Sequence, residues 1–195
     1  MEKLTLTDLM NIYEYEKARD KYRRSIIKYK SERRIQLGPY ILITFENRKT
    51  MKYQVQEMMR AERMVDDVKI QHELDIYNAL LPDQNELSAT LFIEITEETK
   101  IRELLYKFIG LTENQTLFIK MDHDKVYANF ESGREEEDKI SSVHYIRFRF
   151  THEQINRMQS GKTKLSIGID YKDYQYDRIF SRMEIKNIFS DLIPD

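Results

Sequence analysis

Three ionisable side chains stand where the surrounding pattern asks for apolar ones. On a helix read over Thr50 to Val65, at about 100° per residue, Met51, Val55, Met58 and Val65 fall within about 40° of one direction. Glu62 lies in the middle of that stripe. A carboxylate so placed loses water, which favours its neutral form unless a cation or several donors meet it. Glu62 is therefore expected to be an arginine's partner, a metal ligand or a poised acid/base, with a structural ion pair to the first helix as the simplest of these. On the following helix, Asp67 to Leu81, the stripe is Ile70, Leu74, Tyr77 and Leu81. Glu73 and Asn78 sit on its margins, while His72 and Asp75 point away. Glu73 should be half buried, and Asn78, shortly before Pro82, should cap or end the helix. A strand over Ser142 to Phe150 places His144 on the face of Ile146, Phe148 and Phe150. A core histidine is ordinarily a hydrogen-bonded structural residue. Beside Glu62 or Glu73, however, His144 would complete an acid/base or metal constellation.

Established catalytic motifs do not supply an alternative. Gly161-Lys162-Thr163 resembles the end of a phosphate loop, but Asn156 stands where its first glycine belongs, and a helix precedes where a strand is needed. No GxGxxG occurs. His72-Glu73 opens like a zinc-protease helix, yet Ile76 occupies the second histidine position. No Glu is followed by His three residues on, which removes the paired-helix di-iron pattern. Asn114-Gln115-Thr116 matches a glycosylation acceptor that needs a secretory route.

The elements that must position these residues fall into two parts. Residues 7 to 34 read as helix, in two pieces with Thr7 as N-cap, closed by Gly38-Pro39. A strand follows over Tyr40 to Glu46, then the two helices above. From Ala89 the period changes to two. Strands are expected at Ala89 to Thr96, Leu117 to Met121, Lys125 to Phe130, Ser142 to Phe150 and Lys164 to Tyr171, with Asp122-His123-Asp124 as a hairpin turn. Helices are expected at Glu97 to Ile109, Thr151 to Gln159 and Ser181 to Leu192, the last two opened by the capping-box pairs Thr151/Gln154 and Ser181/Glu184. Tyr171, Tyr174 and Tyr176 read as the end of a strand, and the acidic run Glu131 to Asp138 as a solvated loop. This is an α+β chain with one mostly antiparallel sheet of five or six strands. It is read as a single domain over 1–195, helical over 1–85 and mainly sheet over 86–195.

The 195 residues suffice for a core without staples, and 41% hydrophobic against 34% charged residues excludes a disordered or collagen-like chain. The absence of Cys removes thiolate metal sites, iron–sulfur ligation and thiol nucleophiles. No apolar run reaches a membrane span and no signal-peptide pattern opens the chain, which points to the cytoplasm. The net charge of -2 names no partner, but Lys17 to Arg34 carries nine Lys/Arg against Asp20 and Glu32, a local +7. That segment could grip RNA or phosphate. The favoured reading sets it against Glu57, Glu62, Asp66, Asp67, Glu73 and Asp75, which with Arg60, Arg63 and Lys69 leave the next helices at -3.

A family likeness rests on several blocks of residues. Gly38-Pro39, Phe45-Glu46-Asn47-Arg48 with Thr50, Tyr53-Gln54-Val55-Gln56-Glu57-Met58 and Arg60-Ala61-Glu62-Arg63 resemble a bacterial domain-of-unknown-function family numbered 3501. Glu73-Leu74-Asp75 with Tyr77-Asn78, Leu81-Pro82, Ala89-Thr90-Leu91 with Ile93-Glu94, and Val143-His144-Tyr145 with Arg147-Phe148 extend the likeness over roughly residues 1 to 175. The resemblance implies no reaction, no assigned fold and no mapped site. It offers Gln56, Glu57, Arg60, Asp75, Tyr77 and Asn78 as binding candidates beside Glu62, Glu73 and His144. It also implies rubrerythrin-like or iron–sulfur redox proteins as partners in peroxide or redox handling.

The leading expectation is thus a non-catalytic interaction protein, with a homo-oligomer left open. The alternatives are a metal-binding or acid/base enzyme using Glu62, Glu73 and His144, and nucleic-acid binding through the basic helix.

Overall fold

A computed structural model describes residues 1–133, 135–136 and 139–193. Side-chain caps set the helix starts. After a 3-10 turn at Leu6–Asp8, helix α1 (Ile12–Ser31) begins where the Asn11 side chain accepts the Glu14 backbone N–H at 3.0 Å. The segment is thus in two pieces, but the caps are Thr5 and Asn11 in place of the expected Thr7. The helix also stops before Arg34, because Arg34–Leu37 is strand β1, with Ile35 and Leu37 buried and Arg34 and Gln36 exposed. Pairing with β2 (Ile41–Glu46) overrides helical continuation there. The turn between them needs Gly38, whose φ is +67° and where a Cβ would collide with the Tyr176 ring.

Helix α2 (Arg48–Ala61) opens with reciprocal bonds between Asn47 and Thr50, and α3 (Asp67–Asn78) with Asp66 as cap. Strand β3 (Glu86–Ile93) starts three residues earlier than the alternation suggested. Next come α4 (Ile101–Lys107), β4 (Leu117–Met121) and β5 (Asp124–Phe130), the two strands joined through the expected turn. A short ladder, β6 (Glu135–Glu136) with β7 (Lys139–Ile140), lies within and beside the acidic run. Residues 134, 137 and 138 of that run lie outside the described residues. The chain continues with β8 (Val143–Arg149), α5 (His152–Gln159), β9 (Leu165–Tyr171), β10 (Tyr174–Ile179) and α6 (Arg182–Phe189). Both expected capping boxes, Thr151/Gln154 and Ser181/Glu184, form.

The α+β class holds, but the principal sheet has eight strands, ordered β1-β2-β3-β8-β5-β4-β9-β10 and antiparallel throughout. The two strands at its ends, β1 and β10, are additional to the six expected from alternation. They curl toward each other and nearly close a barrel. The Tyr174 hydroxyl accepts the N–H groups of Tyr40 and Ile41 at 3.0 and 3.2 Å and donates to the Leu37 carbonyl, fastening β10 to the β1–β2 turn. The barrel interior is packed with inward residues such as Ile43, Phe45, Leu91, Ile119, Phe148 and Ile167, each fully buried. Burial of such side chains is worth about 1.5–3 kcal/mol apiece. A second apolar cluster, Leu4, Met51, Val55, Met59, Ile70, Leu74 and Leu81, joins the N-terminal segment to α2 and α3 outside the sheet. No helix among the described residues is long and apolar enough to cross a membrane.

Candidate functional site

Helix α2 carries the candidates Gln56, Glu57 and Arg60, of which Glu57 and Arg60 meet α1 and Gln56 meets the segment just before it. Gln56 is buried and clasps the Met10 backbone, accepting its N–H at 2.7 Å and donating to its carbonyl at 3.1 Å. Glu57 accepts the hydroxyl of the buried Tyr15 at 2.5 Å and both Nε and Nη2 of Arg19 at 2.8 Å. The Arg19 guanidinium holds the Glu57 carboxyl below its usual range, with the Tyr15 hydroxyl adding to the effect and burial opposing it. Burial, reinforced by Glu57, pushes the Tyr15 hydroxyl far up. Arg60 meets Glu16 at 2.6 Å nearer the surface. These side chains bind the protein's own first helix and the segment leading into it.

Glu62 does not point inward. It follows the last residue of α2 and is exposed. The helix ends because Arg63 takes the left-handed conformation, φ +51°, with Arg63 N–H bonding Arg60 O at 3.3 Å and Met64 N–H bonding Met59 O at 2.8 Å. Those two bonds form a left-handed helix cap, a position usually held by Gly. With Arg there, no local signal marks the stop, and a phase extrapolated to Val65 runs about one turn past the end of the helix. Val65, assigned to the inner stripe, is 78% exposed.

On α3, Glu73 is half buried as expected and lies near Tyr77, whose hydroxyl is pushed up by burial first and by Glu73 second. Asp75 is exposed and accepts from Gln71 at 2.9 Å. Asn78 is the last helical residue, and its side chain brackets the Leu4 backbone, with bonds of 2.8 Å from the N–H and 2.9 Å to the carbonyl. It fastens the N-terminal segment.

His144 is fully buried on the inner face, as its alternation implied. It lies opposite Leu91, 2.7 Å from the Ser141 carbonyl through Nε2, and edge-on to Phe130. Glu73 stands on α3 in the outer layer and Glu62 in solvent, so the sheet separates His144 from both. The three candidates are not brought together. Among the described residues no group of three His, Asp or Glu is placed to hold a metal.

Sequence reading missed three buried charges. Arg33 is fully buried and bonds the Phe45 and Asn187 carbonyls and Asp191. Glu46, 2% exposed, meets Lys30 at 3.3 Å and Thr90 at 3.2 Å. Glu86 has a fully buried side chain that takes Arg147 at 2.7 Å and Arg149 at 3.3 Å. The outward face of β2–β3–β8 could have flagged Glu46, Glu86 and Arg147. Nothing local could have flagged Arg33, one of nine cations in its segment.

Two openings lie beside the α1–α2 contacts. A groove of about 790 Å³ runs between Ile12, Tyr13 and Lys17 of α1 and Ala61, Arg63 and Val65 at the end of α2. It adjoins a second hollow of about 280 Å³ backed by Leu9, Met59 and Ile70. Tyr13 is 81% exposed at its edge, and Val68 is 79% exposed nearby on α3. The basic helix is divided in its loyalties. Arg19 turns to Glu57, as the internal-counterweight reading expects, while Lys30 turns to Glu46 of β2, an acid outside that reading. Lys17, Lys21, Arg24 and Lys28 lie within about 60° of one another on the opposite, exposed side. Among the described residues they have no ion-pair partner.

No curated protein matches the chain. A solved structure from Burkholderia pseudomallei K96243, described as a novel protein of unknown function, is similar with a TM-score of 0.89 and 31% identity, over 98% of this chain and 100% of that one. The model of the family described as "Protein of unknown function (DUF3501)" matches residues 3–192, and the chain belongs to that family.

Proposed function

We propose that the protein is a non-catalytic interaction protein that receives, on its α1–α2 face, an acidic segment of a partner protein anchored by one or two apolar side chains. The observation that carries this reading is the continuity of two surfaces. Lys17 lines the apolar groove at Tyr13 and Val65 and is also the first of the outward row Lys17, Lys21, Arg24 and Lys28. Exposed apolar surface rimmed by charge is a common mark of protein association, and the cations would steer and orient an acidic partner. The resemblance makes rubrerythrin-like and iron–sulfur redox proteins the first partners to test.

The experiment is capture from a bacterial host extract at low and moderate salt, followed by measurement of any purified pair by titration. The double variant Lys21→Glu/Arg24→Glu should weaken that pair tenfold or more, and Val65→Asp should weaken it comparably with less salt dependence. Recovery of the bait alone at every salt concentration overturns the proposal. Low-salt binding of a single-stranded RNA oligomer, abolished by the charge reversal, would replace a protein partner with nucleic acid.

A further inference from the structure

A further hollow, remote from the α1–α2 face, lies at the barrel end covered by α5 and α6. It measures about 270 Å³ and is walled by Met158 of α5, Leu165 at the start of β9, and Ile185 and Phe189 of α6. Leu165 and Phe189 are buried, and Met158 and Ile185 half buried. Walls of this kind give water few partners, so solvent is a poor occupant. The polar groups at the lining include Lys186 and Gln159. Among the described residues Lys186 has no ion-pair partner. An apolar slot with an unneutralised ammonium group at its rim matches a short hydrocarbon chain ending in an anion.

We propose that this pocket binds a medium-chain aliphatic monocarboxylate, its chain between α5 and α6 and its carboxylate toward Lys186. The chain sets most of the affinity, because each buried methylene is worth about 0.8 kcal/mol, or about fourfold. The exposed lysine adds up to about fivefold. Met158 suits such a site, since an unbranched thioether adapts to chains of slightly different length. The site is independent of the partner face, and either proposal can fail without the other.

The test is calorimetric titration of the full chain with hexanoate, octanoate and 1-octanol. Octanoate should bind about 15-fold more tightly than hexanoate, from two methylenes. Lys186→Gln should reduce octanoate affinity by up to about fivefold while leaving 1-octanol unchanged. Met158→Trp, which fills the slot, should abolish binding of both. The Met158 methyl resonance of the wild-type protein provides a check that needs no substitution. It should shift on octanoate addition while that of Met51, in the other cluster, stays fixed. No octanoate binding, or binding that leaves the Met158 methyl unmoved, overturns the site. Equal loss of octanoate and 1-octanol on Lys186→Gln, or no loss of either, overturns the carboxylate.

Discussion

The Tyr15 hydroxyl donates to Glu57 at 2.5 Å, and Arg19, one turn further along the same helix, grips the same carboxylate at 2.8 Å. One acidic residue on α2 thus fixes both the rotation and the axial position of α1. Tyr22 extends the contact, edge-on to Tyr15 and to Tyr53 of α2 with ring centroids 6.0 Å apart in each case. The outward row of lysines and arginines is a consequence of that rotation.

Glu57 should leave a signature in acid. Arg19 lowers its folded-state pKa, so its contribution is complete above the unfolded value of about 4.3 and is lost as pH falls through the folded value. Asp191 has the opposite sign, because burial raises its carboxyl more than Arg33 lowers it. The informative quantity is therefore the difference between wild type and Glu57→Gln in urea unfolding. The variant should be less stable by about 1–3 kcal/mol at pH 7, and the gap should narrow below about pH 4.

Arg63→Gly should stabilise the protein. A non-glycine residue in the left-handed region costs about 1 kcal/mol, and Gly relieves that strain at φ +51° at some cost in chain entropy. A rise in melting temperature of about 2 °C is expected by calorimetry. A fall would show that the Arg63 side chain makes a contact outweighing its backbone.

Tyr174→Phe tests barrel closure. Its hydroxyl serves the Tyr40 and Ile41 N–H groups and the Leu37 carbonyl, and its loss strands backbone groups in a part-buried position. A loss of about 1–3 kcal/mol is expected. Hydrogen exchange should quicken at Tyr40 and Ile41 before it does so in β3 or β8.

The buried and exposed glutamates should separate cleanly. Glu86→Ala removes the carboxylate that meets Arg147 inside the protein and should cost about 3 kcal/mol. Arg149→Ala removes a mostly exposed partner and should cost under about 1 kcal/mol. Glu62→Gln should change stability by less than about 0.5 kcal/mol. A large effect at Glu62 would restore the inward reading that its position at the end of α2 removes.

What the sequence determined by itself was whatever depends on neighbours a few residues apart. The period-two runs through Ile43, Leu91, Ile119, His144 and Ile167 found their strands and inner face, and the pairs Thr151/Gln154 and Ser181/Glu184 found their helix starts. These features follow from backbone geometry and local hydrogen bonds, which the sequence carries directly. The tertiary structure decided the rest. Arg34–Leu37 became a strand because β2 was available to pair with it, and Tyr174–Ile179 because β9 was. Which of nine cations would be buried was settled by where Asp191, some 158 residues away from Arg33, came to rest. Glu62 turned outward because a single left-handed residue ended α2, a conformation that Arg63 adopts without announcing it. Partners distant along the chain meet only when it closes on itself, and no local pattern encodes that meeting.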